Sequence, residues 1–527
     1  MQPRWRLVIL GLLALLVHAR TVANGFVFDD LPAIVANPLL RGPLSLGTLV
    51  THDFWGAAAV DTQIGTWRPL VVLTFVVDWR LGGGAPWLFH LHNLVWHALA
   101  CGALAFALRR RWPAAPWAEA TLLFATLAAS TEAVASVVGR ADLMAAAFSF
   151  LALGLVGAGW RSHLAAAAAL FAAQLCKESA ALVPVCLVAL DLLGVLDPAA
   201  QAPRWRDRLP AYLGFAATVI VYLVLRTTLF APPSQVIVAP MNNPLVGEPW
   251  WVRGLTALGL LVLTLRLIAL PINLSPDYSF AELLPERTLA SPTVWAGVLL
   301  VVLLGLAAAR TRRSRPAIAA GIVMFAVPWL TISNLVVLLP TIFAERLLYA
   351  PAAGLALVTA TVLGERGRLG RAALALLVVG NLALAMRTDA AWHDEESLFR
   401  MAVEVSPRAA RAWLNYGAAL MRRGQRERAV AAFEQARSIA PDWSRPHALL
   451  GAAFDQAGRA DLALPALRRA VALEPDTPDG VYNLVTFLAR HERRQEAIEV
   501  LSGFVARHPR DAAAARMLRG LSGDSPR

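Results

Sequence analysis

The sequence has little charge, and the shortage is uneven. Only 16% of its 527 residues are Asp, Glu, Lys or Arg, whereas 57% are hydrophobic; a soluble chain of this length carries about 25% charged residues. From about residue 388 onward the chain is rich in charge and has no apolar run that could span a bilayer. We therefore predict a membrane domain over residues 1–387, a connecting helix or partial repeat over 388–409, and a soluble domain over 410–527.

Cysteine is equally scarce. Cys101, Cys176 and Cys186 lie in or beside apolar runs, and their spacing fits neither a zinc site nor a disulfide framework. They are best interpreted as small buried hydrophobic side chains. We predict no metal site.

The net charge of +12 does not indicate a nucleic-acid partner, because the basic residues cluster at the ends of apolar spans. Clusters such as 109–111, 310–315 and 366–371 are typical of cytoplasmic orientation signals. With Arg4 and Arg6 also cytoplasmic, loop 24–85 lies outside. About eleven crossings then place the C-terminal domain outside too, if the helix at 252–270 is re-entrant. The uncleaved first helix and the Ala/Arg-rich composition suggest a bacterial inner membrane, although a eukaryotic reticulum membrane would follow the same rules.

Two adjacent carboxylates, Asp29 and Asp30, stand at the outer end of the first span. They neither anchor a chain to a membrane nor suit a core, so their position predicts chemistry or ligand binding. Further charges fall at outer span ends, and together they would suit a phosphorylated lipid substrate and an acid–base step. The alternative for Lys177-Glu178 and Glu345-Arg346 is that they reach water at span ends. The other outer charges are Glu132, Arg140 and Asp142.

The soluble domain repeats itself every 34 residues, over 410–443, 444–477 and 478–511. Trp413 and Gly417 of the first unit follow the tetratricopeptide pattern, as do the later units, and this pattern predicts a solenoid of helix pairs with a concave groove. Asn415 and Asn483 occupy equivalent positions and could bind an extended peptide, or could simply be solvated. The fold class is therefore all-α: a polytopic helical bundle followed by a tetratricopeptide solenoid.

The chain resembles the family of transmembrane and tetratricopeptide-repeat-containing proteins, which are similar to protein O-mannosyltransferases of the GT-C class. Where that family carries a His-Pro-x-His pattern, this chain has Leu127-Ala128-Ala129-Ser130. The resemblance rests on Phe28-Asp29-Asp30, Arg68-Pro69, Leu73-Thr74-Phe75, His90-x-x-Asn93, Thr131-Glu132-Ala133-Val134, Val138-Gly139-Arg140-Ala141-Asp142, Cys176-Lys177-Glu178 and Glu345-Arg346-x-Leu348-Tyr349.

The resemblance implies a GT-C-like membrane domain that moves a sugar, mannose or a similar hexose, from a polyprenyl-phosphate donor to a hydroxyl, with inversion. The acceptor would be a protein Ser or Thr presented by the repeats, and the sequence requires no further cofactor. Asp29 or Asp30 would be the general base. Arg68, Arg140, Lys177 and Arg346 would bind the lipid phosphate, supported by Glu132, Asp142, Glu178, Glu345 and Tyr349. The alternative is a non-catalytic membrane anchor that displays a peptide-binding array for envelope assembly.

Overall fold

The computed structural model describes residues 3–43, 45–57, 65–157, 159–197, 205–230, 238–509 and 511–523. Helix accounts for 75% of the structure, and the described residues contain no strand, which confirms the all-α fold class. The chain forms two compact units. The first comprises residues 1–276 and 285–398, and the second comprises 277–284 and 399–527.

The first unit contains the apolar helices, which we number in chain order. They are α1 Pro3–Val17, α2 Leu46–Thr51, α3 Pro69–Gly82, α4 Pro86–Arg111, α5 Trp117–Thr126, α6 Thr131–Ala135, α7 Arg140–Leu155, α8 Trp160–Cys176, α9 Val183–Leu192, α10 Trp205–Leu225, α11 Trp250–Ala269, α12 Pro292–Thr311, α13 Pro316–Ile332, α14 Tyr349–Gly364 and α15 Gly367–Ala391.

Within the part of the chain that the structure describes, seven helical segments are long and apolar enough to cross a membrane. They lie at α4, α7, α10, α11, α12, α14 and α15, and some include an adjoining turn. The other predicted spans form shorter helices, so the count of eleven crossings stays a prediction. α11 is a continuous helix of 20 residues; whether it crosses or re-enters also stays a prediction.

The apolar stretch 118–136 is not one continuous helix in the structure. α5 ends at Thr126, a short 3₁₀ turn follows, and α6 starts at Thr131. The side chain of Asn381 contributes to the break, because its Oδ1 accepts a hydrogen bond from the backbone N–H of Ala128 at 3.1 Å. The break leaves Glu132 on the short α6 rather than inside a long apolar helix.

The loop between α1 and α4 packs around its own aromatic core. Phe54, Phe75 and Phe89 are fully buried and lie with ring centroids 5.8 Å (Phe54–Phe75) and 6.2 Å (Phe75–Phe89) apart. α3 buries Val71, Phe75 and other apolar residues in this core. The described residues of this loop therefore form a packed structure that can hold Asp29 in one place.

The second unit contains three consecutive helix pairs, one for each predicted repeat. Close packing within the first two pairs depends on a glycine. A Cβ on Gly417 would lie 2.5 Å from Cε1 of Phe433, and a Cβ on Gly451 would lie 2.4 Å from Cγ of the buried Leu467. The helices are α16 Glu395–Val405, which begins in the first unit, then α17 Ala410–Arg422, α18 Arg426–Ile439, α19 Ser444–Gln456, α20 Ala460–Leu473, α21 Pro478–Arg490, α22 Arg494–Arg507 and the final α23 Ala512–Ser522.

We predict that Gly451→Ala destabilises the second repeat by about 1–3 kcal/mol, because the new methyl group overpacks the α19–α20 contact. Amide hydrogen exchange of α19 and α20 in the detergent-solubilised chain measures this change. Gly503→Ala is the matched control: the nearest atom to its Cβ is Arg507 Nη1 at 3.7 Å, and an alanine there should stabilise α22 slightly. Equal protection in the two variants would contradict the packing argument.

Candidate active site

Arg346 lies at the centre of a cluster of charged side chains in the first unit. Its Nη1 is 3.0 Å from Asp29 Oδ2 and 3.0 Å from Glu132 Oε1. Its backbone N–H also donates to Glu132 Oε2 at 2.9 Å. The 3₁₀ turn Glu345–Leu348, which leads into α14, fixes this backbone. Three residues that lie far apart in the sequence are therefore joined through one guanidinium group.

The backbone before Asp29 is strained. Phe28 has φ of +53°, a conformation that is uncommon for a bulky residue. Such backbone geometry persists only when surrounding contacts enforce it, and it is concentrated at functional sites. The side chain of Asp29 is 23% exposed and that of Arg346 is 22% exposed, so both are accessible to a ligand.

Asp30 points in the opposite direction, into the protein. Its Oδ1 accepts hydrogen bonds from the Val138 N–H at 3.0 Å and the Ser136 hydroxyl at 3.3 Å, and its Oδ2 accepts from the Val27 N–H at 3.4 Å. The residue is completely buried. Burial raises its pKa to about 7, and the neighbouring charge of Asp29 contributes least among the causes. Asp30 therefore attaches the loop to the turn before α7.

Two further ion pairs adjoin Arg346. Lys177 Nζ lies 2.5 Å from Asp142 Oδ1, and Arg68 forms a two-pronged pair with Glu178 through Nε at 3.2 Å and Nη2 at 3.0 Å. The charges of Asp142 and Arg346 both act on Arg68, so the three pairs are one electrostatic system. We call it the charge cluster: Asp29, Arg68, Glu132, Asp142, Lys177, Glu178 and Arg346.

The pKa is shifted in different directions among the carboxylates of the charge cluster. Burial raises the pKa of Glu132 despite the opposing charge of Arg346. Burial would also raise the pKa of Glu178, but the charge and hydrogen bonds of Arg68 outweigh it and lower that pKa to about 2. Four carboxylates thus face three cations, and every cation already has a carboxylate partner.

Arg140, which the resemblance implies as a phosphate ligand, lies outside the charge cluster. It is fully buried, and its guanidinium is held by Asp78 at 2.6 Å. Its remaining hydrogen bonds go to Asn93 Oδ1 at 2.8 Å, Thr74 Oγ1 at 3.1 Å and the Phe89 carbonyl at 2.8 Å. The structure gives it a role in joining α3, α4 and α7.

Glu345 and Tyr349 also face away from Asp29. Tyr349 is buried and its hydroxyl lies 2.8 Å from Nδ1 of His97 on α4. Glu345 is buried, and its Oε1 accepts a hydrogen bond from the Ser275 N–H at 2.7 Å. The two residues flank Arg346 in sequence and fix the turn that carries it.

Sequence reasoning missed Asp78, the partner of Arg140. The signal was present, because an aspartate inside the apolar stretch of α3 is seldom buried without a cation. The predicted groove residues Asn415 and Asn483 lie half-buried on α17 and α21, the first helices of their repeats. Both are in the second unit.

The fold and the family comparisons agree on the class of protein. Tetratricopeptide repeat profiles match residues 410–443 and 456–521, behind a unit whose helices suit a multi-pass membrane protein. The chain is thus a helical membrane protein with a C-terminal repeat array. A solved structure, the APC/C hetero-tetramer Cut9-Hcn1, aligns at 13% identity over 86% of this chain and 95% of that one, but its TM-score of 0.24 is too low to bear on the fold.

Curated relatives resemble this chain. The chain is 30% identical to the protein O-mannosyl-transferase Tmtc1 of Drosophila melanogaster, over 79% of this chain and 59% of that protein. It is 29% identical to TMTC4 of Mus musculus over 81% of this chain and 66% of the relative. It is 36% identical to Tmtc2 of Drosophila melanogaster over 52% of this chain and 30% of that protein. The chain is similar to these relatives, as its motifs predicted, and spans 66% or less of the length of each.

We predict that the stability of the solubilised wild-type chain, compared with that of the Asp30→Asn variant, falls as the pH rises from about 4 towards about 7. The pKa of Asp30 is raised in the folded protein, so the folded state keeps a proton that the unfolded state releases, and unfolding is favoured as that proton is lost. Thermal unfolding midpoints of both proteins at several pH values test this. Parallel pH curves for the two proteins would show that Asp30 does not titrate in this window.

Proposed function

We propose that the chain is a membrane glycosyltransferase. It transfers mannose or a similar hexose from a polyprenyl-phosphate donor to a Ser or Thr hydroxyl of a protein. The relatives are named protein O-mannosyl-transferases, and they align with 79% and 81% of this chain. The observation that carries the proposal is the contact between a half-exposed carboxylate, Asp29, and a half-exposed guanidinium, Arg346, at 3.0 Å.

In this proposal Asp29 is the general base. It takes the proton from the acceptor hydroxyl, whose oxygen bonds to the anomeric carbon of the sugar. The bond from that carbon to the phosphate oxygen breaks, and the lipid phosphate leaves with the electron pair. A single displacement of this kind inverts the anomeric centre. Asp30 is unsuited to the same role, because it is completely buried and already accepts three hydrogen bonds.

Arg346 is the proposed ligand of the leaving phosphate, with Arg68 and Lys177 beside it. Fixed cations near a leaving phosphate stabilise the charge that develops on it, and a guanidinium matches phosphate oxygens in geometry. Glu132 holds both the side chain and the backbone of Arg346, so it positions the guanidinium. Arg140 has no part in the proposed donor site, because its guanidinium is fully buried and engaged.

The proposed side of the membrane follows from the basic ends of the helices. α12 ends in a basic run that includes Arg310, Arg312 and Arg315, which marks its C-terminal end as cytoplasmic. Residues 277–284 precede the other end of α12 and belong to the second unit. We infer that the repeat array is extracytoplasmic, independently of the total number of crossings. By the same reasoning Arg346 lies outside, because the opposite end of α14 adjoins the basic residues 366–371.

The proposed role of the array is to bind the protein acceptor or a partner. Tetratricopeptide arrays present a concave surface built from the first helices of their repeats, and Asn415 and Asn483 lie on such helices here. Besides the donor and the acceptor, the membrane itself is a proposed partner, because the donor is lipid-linked. A bacterial inner membrane remains our prediction for its location.

We predict that Asp29→Asn lowers turnover by about 10²- to 10⁴-fold, because a general base contributes that much to rate. The amide keeps the shape of the carboxylate but cannot take the proton. Purified chain in lipid, a polyprenyl-phosphate mannose and a Ser/Thr-containing peptide provide the assay, with mass spectrometry of the peptide as the readout.

The control for this experiment is Asp461→Asn, which removes an exposed carboxylate on α20 that pairs with the neighbouring Arg459. It should turn over like the wild type. Wild-type turnover by Asp29→Asn would remove Asp29 from the mechanism. If the folded wild type transfers no sugar from any polyprenyl-phosphate hexose tried, the scaffold alternative becomes the better account.

A further inference from the structure

Arg226 is a half-buried cation that has no role in the donor site as described so far. It lies in the turn Arg226–Phe230, which continues α10. Its Nη2 donates to the Gly65 carbonyl at 2.8 Å, and its Nη1 donates to the Tyr222 hydroxyl at 3.3 Å. Among the residues that the structure describes, no carboxylate forms an ion pair with it. Its charge is therefore uncompensated, unlike that of every cation in the charge cluster.

Tyr222 carries a buried donor that lacks an acceptor. Its hydroxyl oxygen accepts from Arg226, but no group in the described part of the chain accepts the hydrogen of this hydroxyl. The residue is 2% exposed, and its ring packs against that of Trp67 at a centroid distance of 5.7 Å. Buried polar groups nearly always have hydrogen-bond partners, and leaving one unpaired costs free energy. An unpaired guanidinium and a hydroxyl donor side by side therefore suit an acceptor with negative charge.

This pair of residues lies beside the charge cluster. Gly65, which holds Arg226, is three residues before Arg68, so the two backbone positions are at most about 11 Å apart. The charges of Glu178 and Arg68 both act on the Tyr222 hydroxyl. The charge cluster contains four carboxylates and three cations, and in their charged forms these groups would repel a phosphate. Arg226 supplies a fourth cation and offsets the excess negative charge.

The surroundings of Arg226 suit a phosphate that is attached to a lipid. α10 exposes apolar side chains in the two turns before Arg226, where Ile220, Leu223 and Val224 are 60%, 49% and 52% exposed. The same helix is among the segments that are long and apolar enough to cross a membrane. A lipid tail can therefore lie along α10 while its head group reaches Arg226.

We propose that Arg226 and Tyr222, together with Arg68, bind a phosphate group at the C-terminal end of α10. The phosphate is that of the polyprenyl-phosphate donor, an assignment that rests on the proposed function. Its oxygens accept from the Arg226 guanidinium and the Tyr222 hydroxyl, and they replace Glu178 as partner of one Arg68 N–H. Glu178 is 41% exposed, so its carboxylate can turn towards water when it is displaced.

The test measures binding and does not require turnover. The full-length chain in phosphatidylcholine nanodiscs is titrated with a fluorescent polyprenyl phosphate and with the neutral polyprenol of the same length. Arg226→Gln should bind the phosphate at least about ten-fold more weakly and the polyprenol equally well. Tyr222→Phe, which keeps the bond from Arg226 to Gly65, should bind the phosphate about three-fold more weakly. Arg226→Lys should recover part of the affinity, because it restores the charge.

Arg287→Gln is the matched control. It removes an exposed arginine between α11 and α12 that pairs with Glu248, and it should bind both lipids like the wild type. Equal losses of affinity for the phosphate and the polyprenol in Arg226→Gln would overturn the proposal, because Arg226 would then only hold the loop at Gly65. Wild-type affinity of Tyr222→Phe for the phosphate would overturn it too, and this variant decides the question if Arg226→Gln does not fold.

Competition distinguishes the possible sources of the phosphate. Unlabelled polyprenyl phosphate should displace the labelled lipid, whereas phosphatidic acid and inorganic phosphate at the same concentration should not. Equal displacement by phosphatidic acid would assign the site to a membrane phospholipid, and equal displacement by inorganic phosphate would assign it to the free ion; either result contradicts the donor assignment.

A turnover assay separates this proposal from the proposed function. Binding that depends on Arg226, without any sugar transfer by the wild type, would support the phosphate site and contradict the transferase activity. Sugar transfer by the wild type, with unchanged affinity of Arg226→Gln for polyprenyl phosphate, would overturn the phosphate site and leave the transferase activity in place.

Discussion

The buried carboxylate of Asp30 attaches the loop after α1 to the turn that precedes α7, and the position of Asp29 depends on that attachment. Asp30 accepts bonds from both sides, from Val27 within the loop and from Ser136 and Val138 on the turn. The strained Phe28 lies between the bonded Val27 and Asp29. With the backbone held on both sides, the side chain of Asp29 is directed towards Arg346 rather than into solvent.

Arg346 in turn determines which charged groups a ligand would contact. Glu132 contacts Arg346 through both carboxylate oxygens, whereas Asp29 contacts Nη1 of Arg346 through Oδ2 at 3.0 Å. An incoming phosphate competes with the carboxylates for this guanidinium. We expect it to displace Asp29, which is the more exposed and less bonded of the two. Donor binding would then free the base that the proposed reaction needs.

The sequence predicted the helices, the three repeats and the association of charged residues that lie hundreds of positions apart. Hydrophobic runs and basic ends carry that information, since they report which side of a membrane a residue occupies. They do not report which face of a helix a side chain occupies, and for this reason Arg140 was expected at the site but lies buried against Asp78. Asp29 and Asp30 show the same limit of sequence reasoning. They are adjacent in the sequence, but the backbone conformation leaves the carboxylate of Asp29 partly exposed and buries that of Asp30.

The packing of Asp277–Leu284 within the second unit was also beyond sequence reasoning, because no periodicity links a loop between α11 and α12 to α17. It is a product of long-range packing, and a two-pronged pair between Asp277 and Arg411 is its clearest sign. By contrast, the membrane side of the helix ends was predicted from the positions of basic residues in the sequence alone. Membrane side, repeat register and charge content are local properties, whereas the direction of a side chain is a property of the folded chain.

The coupling between Asp29 and Arg346 is the central claim, and a double-mutant cycle on turnover measures it most directly. Asp29→Asn, Arg346→Gln and the double variant are compared with the wild type for mannose transfer from a polyprenyl-phosphate donor. If the two residues act as one unit, the double variant loses little more than the worse single variant. Losses that multiply in full would show that the two residues act independently and would contradict the account.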